Sequence, residues 1–236
     1  MRKGLLHRRR MMQASGGIDY IYDGLLLHFN VTSYSTQQAI RNKFDGTLFQ
    51  NLRSGNVTQM ADCLYMDAVS LKSTIQYSQI RSSLGTIEAV FSAEINPFSR
   101  DWFVLYSSNY SNSDYDIMCL RYGENSPNQT YAFTSYNWRN GNMFVTGDIY
   151  DSKDHKISIA GGSSCLFDNQ FLPAVANPTA FSTDTNGYPS VGGRLFQTYD
   201  SGRFVGNLYS LRIYTRVLSI DEQLHNSAVD YQNFGI

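Results

Sequence analysis

Residues 202–222 read Gly202-Arg-Phe-Val-Gly-Asn-Leu-Tyr-Ser-Leu-Arg-Ile-Tyr-Thr-Arg-Val-Leu-Ser-Ile-Asp-Glu222, and this stretch decides the fold. Residues 207–214 alternate as a half-buried β-strand does, because successive strand side chains point to opposite faces. One predicted face carries Tyr209, Leu211 and Ile213, and the other carries Leu208, Ser210, Arg212 and Tyr214. Ser219 precedes Glu222 by three positions, the spacing of a capping box, so a helix is predicted directly after the strand.

The spaced residues of this stretch also carry a family resemblance. The pattern Phe-x-Gly-x-Leu-x-x-Leu-Arg-Ile-Tyr-x-Arg-x-Leu-Ser-x-x-Glu, from Phe204 to Glu222, resembles the closing segment of laminin-G-like domains. These domains belong to the concanavalin A-like lectin and glucanase superfamily. Residues 19–30, Asp-Tyr-Ile-Tyr-Asp-Gly-Leu-Leu-Leu-His-Phe-Asn, resemble the opening strand of the same family.

The resemblance implies an all-β fold in which the first and last strands lie close together. We therefore expect a single antiparallel β-sandwich, a concanavalin A-like jelly roll, with a short C-terminal helix and an N-terminal basic arm. The predicted boundaries are 1–17 for the arm and its Gly-rich joint and 18–236 for the sandwich. Between the two ends, short strand candidates recur at the spacing of a sandwich. Residues 86–95 alternate best, and Asp168-Asn169 is the predicted turn of a hairpin.

Composition limits the classes of function. Of the 236 residues 14% are aromatic and only 17% charged, which is typical of sheets and turns. Five of the 19 basic residues lie in the first ten positions, so the remaining 226 residues carry 14 basic and 20 acidic side chains, a net charge of −6. The body has no basic excess with which to hold nucleic acid. No apolar run approaches the ~20 residues of a membrane span, and no signal-peptide core is present, so we expect neither membrane insertion nor Sec-type export.

The three cysteines, Cys63, Cys119 and Cys165, lie far apart without Cys-x-x-Cys spacing. This spacing argues against a zinc ribbon or a redox motif. One disulfide with one free thiol and three reduced, buried cysteines both fit the sequence. We favour the reduced state, which agrees with assembly in a reducing cytoplasm.

The N-terminal arm combines cations with large apolar side chains and ends in a Gly-Gly joint. This mixture suits docking into an acidic, partly apolar groove, although a solvated tail is the simpler alternative. The predicted anchoring residues are Arg2, Lys3, Leu5, Leu6, Arg8, Arg9, Arg10, Met11 and Met12.

Sugar binding requires an aromatic platform beside amides and charged groups. Two segments offer this mixture, and buried core aromatics are the alternative interpretation of both. The first candidate set is Tyr136, Asn137, Trp138, Arg139, Asn140 and Asn142, and the second is Tyr110, Asn112 and Asp114.

Catalysis is not predicted. Superfamily enzymes that cleave β-glucans carry Glu-x-Asp-x-x-Glu or Glu-x-Asp-x-Glu on one strand, and this chain has no such run. Glu88 and Glu94 share a predicted face but lie roughly 20 Å apart at ~3.3 Å per residue, beyond the ~5–9 Å of a glycosidase pair. The four histidines have no partner at metal-binding or triad spacing. Calcium remains possible, with candidate ligands in 107–116 and at Asp148, Asp151 and Asp154.

These observations leave three candidate functions. We favour a non-catalytic structural or adhesion component of a virion, such as a head fibre, decoration or tail protein. The arginine- and methionine-rich start and the missing export signal resemble bacteriophage virion proteins that carry laminin-G-like domains. Such a protein would be assembled in the host cytoplasm, would form a homo-oligomer, would contact other virion proteins through its arm and could bind surface glycans. A stand-alone carbohydrate-binding module is the alternative, and a glycoside hydrolase is disfavoured.

Overall fold

A computed structural model describes residues 19–51, 55–75, 85–94, 103–107, 117–123, 126–133, 143–147, 149, 151, 153–161, 164–173, 188–193 and 203–236. These residues form seventeen strands, a 3-10 turn at Val31–Ser33 and one α-helix. The strands are β1 (Leu25–Asn30), β2 (Tyr34–Thr36), β3 (Ala39–Arg41), β4 (Leu48–Asn51), β5 (Asn56–Gln59), β6 (Leu64–Asp67), β7 (Leu71–Ser73), β8 (Thr86–Ala93), β9 (Phe103–Ser107), β10 (Ile117–Gly123), β11 (Ser126–Phe133), β12 (Met143–Gly147), β13 (His155–Ala160), β14 (Ser164–Phe167), β15 (Gln170–Leu172), β16 (Ser190–Val191) and β17 (Val205–Tyr214). The helix, α1, spans Ile220–Phe234.

The strands form two antiparallel sheets. Sheet A has the order β15-β14-β13-β8-β17-β6-β5, with β1 also paired to β17, and sheet B has the order β12-β11-β10-β9-β16-β7-β4-β3-β2. The apolar faces of the two sheets meet in the core, where Phe29 of sheet A and Phe49 of sheet B pack edge to face at 4.8 Å between ring centroids. The predicted all-β sandwich with a short C-terminal helix is therefore confirmed.

The pairing of β1 with β17 joins the two ends of the described chain. Leu27 lies opposite Ile213, and Phe29 lies opposite Leu211. All four side chains are buried, so the hydrophobic effect holds these strands in register. The expectation that the first and last strands lie side by side is confirmed.

The predicted face of Leu208 in β17 is wrong. The register of β17 against β8 shifts between Leu208 and Ser210, so Tyr209 is an extra residue on the β17 side. This β-bulge turns Leu208 into the core, where it is fully buried with Leu211. Simple alternation along the strand assigns Leu208 to the face opposite Leu211. This assignment fails because the bulge interrupts the two-residue alternation, and the residue types give no sign of the bulge.

The predicted turns and caps are observed where their residues are described. Asp168 and Asn169 have φ values of 48° and 65°, the two positive values that a two-residue hairpin turn requires. At the start of α1, the Ser219 hydroxyl accepts a hydrogen bond from Glu222 N at 3.2 Å. The Glu222 carboxylate in turn accepts one from Ser219 N at 2.9 Å. The predicted capping box is confirmed.

The sequence pattern of residues 74–80 predicts a strand, but residues 74 and 75 are not in a strand. The strand β7 ends at Ser73, whose side chain bonds both the backbone N and the backbone O of Ile75. These local bonds turn the chain, because a serine hydroxyl competes with the sheet for backbone groups. Residues 76–80 lie outside the described part of the chain.

Candidate functional site

Every residue predicted to bind glycan lies outside the described residues, as do all of the predicted anchoring residues. The flanking strands are described, and their pairing relates the two glycan-binding candidates. Ser107 at the end of β9 pairs with Ile117, and Phe133 at the end of β11 pairs with both Cys119 and Met143. Both predicted segments therefore connect strands at the same end of sheet B.

An aromatic residue that the sequence analysis missed lies at this same end. Tyr188 lies two residues before Ser190, the first residue of β16, and Ser190 pairs with Ser107 on one side and with Lys72 on the other. The Lys72 ammonium lies 4.2 Å from the centroid of the Tyr188 ring, within the range of a cation–π interaction. Both side chains are half-buried, so the pair is accessible to solvent.

The pairing register identifies the neighbours of Lys72 on the outer face of sheet B. Gln50 lies directly opposite Lys72, and directly opposed residues of an antiparallel pair share a face. Leu48 lies two residues from Gln50 on β4 and pairs with Arg41 of β3. Gln50 and Arg41 are both exposed. We call Arg41, Gln50, Lys72 and Tyr188 the Tyr188 surface.

The Tyr188 surface combines an aromatic ring with groups that hold hydroxyls and carboxylates. A tyrosine ring can pack against the apolar face of a sugar, the Lys72 ammonium lies over this ring, and Gln50 supplies an amide opposite Lys72. Sequence reasoning missed this surface because Lys72 and Tyr188 are more than 100 residues apart in the chain and meet only through the pairing of β7 with β16.

The outer face of sheet A carries a different kind of site, a charged cluster covered by α1. The Arg212 guanidinium forms two bonds of 2.7 Å to the Asp230 carboxylate and one of 3.0 Å to Glu88. It also lies 4.2 Å from the centroid of the Tyr20 ring, and the Tyr20 hydroxyl donates to Asp230 at 2.8 Å. Arg212, Glu88 and Asp230 are each at most 2% exposed, so this cluster cannot meet a large ligand.

Glu88 lies within hydrogen-bonding distance of Ser158, Arg212 and Asn226. The Ser158 hydroxyl lies 2.8 Å from the Gln223 carbonyl oxygen and 3.2 Å from the Glu88 carboxyl. The Gln223 amide group donates to Leu218 O, which leaves the Gln223 carbonyl oxygen as the acceptor of the single Ser158 hydrogen. The Ser158 oxygen is then free to accept a hydrogen bond from Glu88 whenever Glu88 is protonated. Burial raises the pKa of Glu88, and the Arg212 guanidinium opposes this shift.

A cavity adjoins this cluster, lined by residues that include Lys156, Asn169 and Ser227. Its volume is about 20 Å³, enough for about one water molecule and far too small for a sugar ring. We therefore assign the cluster beneath α1 to folding, and we take the Tyr188 surface as the candidate binding site.

His155 forms a second charged cluster, at the start of β13. Its Nδ1 lies 2.9 Å from Asp168, and its Nε2 lies 3.2 Å from Asp151. Burial lowers the pKa of His155, but the two carboxylates outweigh burial and hold the pKa above its usual value. The sequence gives His155 no partner at metal-binding or triad spacing, and in the structure its partners are two carboxylates, one of which, Asp168, comes from the β14–β15 turn 13 residues later.

The described residues offer no metal centre. Asp151 and Asp154 are described and Asp148 is not, and within the described ranges no group of three His, Cys, Asp or Glu side chains could hold an ion. Cys63 and Cys165 are buried free thiols. Burial raises the pKa of the Cys63 thiol to about 12. Among the described residues, no helix has the length and apolarity needed to cross a membrane.

Comparison with known proteins identifies the fold. No protein-family model matches the chain, and no curated protein sequence matches it. The chain is similar in structure to the sialidase of Trypanosoma rangeli in complex with a difluorinated nononic acid, with a TM-score of 0.63 and 12% identity over 89% of this chain and 33% of the sialidase. It is also similar to the binding domain of botulinum neurotoxin DC in complex with SialylT, with a TM-score of 0.59 and 8% identity over 87% of this chain and 52% of the toxin chain.

The chain thus spans about a third of the sialidase and about half of the toxin domain. At this level of identity the similarity establishes the fold alone. Together with the two antiparallel sheets, it shows that this chain is an all-β sandwich.

Proposed function

We propose that this chain is a non-catalytic carbohydrate-binding β-sandwich, and that the Tyr188 surface contacts the sugar. The observation that carries the proposal is the half-exposed Lys72–Tyr188 pair on the outer face of sheet B. An exposed aromatic ring held by a cation and flanked by an amide is the arrangement expected at a shallow sugar site.

The position of this pair strengthens the proposal. Tyr188 lies at the end of sheet B from which the 108–116 and 134–142 connections leave, and these connections contain the residues predicted to bind glycan from the sequence. The two structurally similar proteins were solved with a sialic acid analogue and with SialylT, so related sandwiches occur in proteins that bind sugars.

Two features support a non-catalytic role. The carboxylates of Glu88 and Asp230, which come together on Arg212, are sealed beneath α1 and cannot reach a glycosidic bond. On the Tyr188 surface, none of the four defining residues is a carboxylic acid, whereas glycosidases use two carboxyl groups. A hydrolase acting from this surface would therefore lack both its acid and its nucleophile among these four residues.

The wider role proposed from the sequence is that of a virion structural or adhesion protein. It rests on the laminin-G-like resemblance of residues 204–222 and on the composition of the basic arm. In such an assembly, repeated copies would convert weak sugar contacts into avid attachment. A stand-alone carbohydrate-binding module is the alternative, and the two are distinguished by whether the full chain is incorporated into a particle.

The experiment compares sugar binding by Tyr188→Ala and Lys72→Met with binding by the wild-type chain. We expect both variants to lose about fivefold in affinity, because stacking on an aromatic ring and a close cationic contact are each worth roughly 1 kcal/mol. The control is Thr58→Ala, an exposed position on β5 of sheet A that should bind normally. Unchanged binding by both variants, with the same melting temperature as the wild type, would refute this assignment.

A further inference from the structure

Exposed apolar side chains concentrate around α1. Of the seven large hydrophobic residues that are exposed in the described part of the chain, four lie between Val217 and Tyr231. Ile220, Leu224 and Tyr231 follow one another at spacings of four and seven residues, which places them on one face of the helix. They are 51%, 41% and 65% exposed, whereas Asn226 and Val229 on the opposite face are buried.

The edge strand β15 adds an apolar residue beside this face. Phe171 is 57% exposed and lies opposite Leu166 of β14, so both side chains are on the outer face of sheet A. Leu166 lines the cavity beneath α1. We call Ile220, Leu224, Tyr231 and Phe171 the α1 stripe. Contiguous exposed apolar surface of this kind marks an interaction site.

The first described residue, Asp19, lies beside α1. The Asp19 carbonyl lies 2.8 Å from His225 Nε2, and Ile21 N donates to Asn226 at 2.9 Å. The segment that precedes Asp19 is therefore tethered beside α1, on the flank of the helix that carries His225. Seven residues span up to ~23 Å when extended, and a 15-residue helix is ~22 Å long, so this segment can reach the whole stripe.

The composition of the preceding segment complements this surface. Residues 1–18 contain Leu5, Leu6, Met11 and Met12 together with five cations. The helix α1 has no lysine or arginine, its Asp221 is exposed, and its last turn has no basic residue to balance the helix dipole. We propose that the α1 stripe is the docking site for the N-terminal arm of the same chain. The tether supplies a high effective concentration, so modest apolar contacts are sufficient.

Limited trypsin digestion of the full chain tests this proposal, because trypsin cuts after lysine and arginine and the arm contains five such sites. The release of residues 1–10 is followed by mass spectrometry. We expect Leu224→Asp to accelerate cleavage by at least about tenfold, since it places a charge in the stripe. Met60→Asp, at a residue 50% exposed and far from α1 along sheet A, is the control and should leave the rate unchanged.

A second variant keeps the test decisive if Leu224→Asp perturbs the helix. Leu5→Ser with Leu6→Ser alters only the arm and should accelerate cleavage at Arg8–Arg10 to a similar extent. Equal cleavage rates in the wild type and in both variants would overturn the proposal. Protection that grows with protein concentration would also contradict it, because the arm would then come from a second copy. The outcome of this digestion does not affect the sugar-binding assay, so the two proposals can fail separately.

Discussion

The cluster beneath α1 gives the sharpest prediction, a contrast between two isosteric substitutions. Asp230→Asn removes the carboxylate that makes both 2.7 Å bonds to Arg212. The asparagine retains one oxygen and turns an amide N–H group towards the guanidinium donors. Breaking a buried, hydrogen-bonded ion pair in this way costs ~3–5 kcal/mol, because a charge is left without its partner.

Glu88→Gln should behave differently because glutamine reproduces a protonated glutamate. Its carbonyl oxygen can accept from Arg212 and Asn226, as Glu88 Oε2 does, and its amide can donate to the Ser158 hydroxyl. No buried group then loses a partner, so we expect a loss of less than about 1 kcal/mol at neutral pH.

The assay is equilibrium unfolding in urea at pH 7, with the free energies compared at matched m-values. Asp230→Asn should be less stable than Glu88→Gln by at least about 2 kcal/mol, the difference between the two expected losses. A Glu88→Gln variant that loses as much stability as Asp230→Asn would refute the reasoning. It would mean that Glu88 is ionised and is an essential counterion of Arg212.

Two further predictions use the same measurement. Because the pKa of His155 is raised on folding, its stabilisation is complete below its ordinary value of 6.5 and is lost as the pH rises through the folded value. The stability difference between the wild type and His155→Gln should therefore shrink from pH 6 to pH 9, and a constant difference would contradict the ion-pair account. Gly206→Ala should cost at least ~3 kcal/mol, because its φ is +140° and a Cβ would lie 2.1 Å from the Ser92 carbonyl oxygen. Gly46→Ala, with φ +80° and nothing within 4 Å, should cost only ~1 kcal/mol, and equal losses in the two would show that the close approach at Gly206 is unimportant.

Local sequence signals predicted the parts of the fold that depend on near neighbours. The Ser219 capping box joins residues three positions apart, and the Asp168-Asn169 turn needs only two residues that tolerate positive φ. The alternation of β8 likewise gave its core face correctly, since Ile87 and Phe91 are buried in the sandwich. Each of these features depends only on residues that lie within a few positions of one another in the sequence.

The features that sequence reasoning missed depend on distant partners or on a broken period. The bulge at Tyr209 changes which side chains of β17 point to the core, and the residue types give no sign of it. His155 meets Asp168 only after a hairpin folds back, and Lys72 meets Tyr188 only after β7 and β16 pair. The burial of Glu88 was not predicted, because the sequence gives no sign of which surface α1 covers.

The measurement that tests the central claim most directly is a glycan-array screen of the full chain, displayed multivalently and run beside Tyr188→Ala and Thr58→Ala. The proposed function predicts that the wild type and Thr58→Ala bind the same glycans and that Tyr188→Ala loses this binding. The absence of binding by the multivalent wild-type chain would contradict a carbohydrate-binding role. Binding that survives unchanged in Tyr188→Ala would contradict the assignment of the sugar site to the outer face of sheet B.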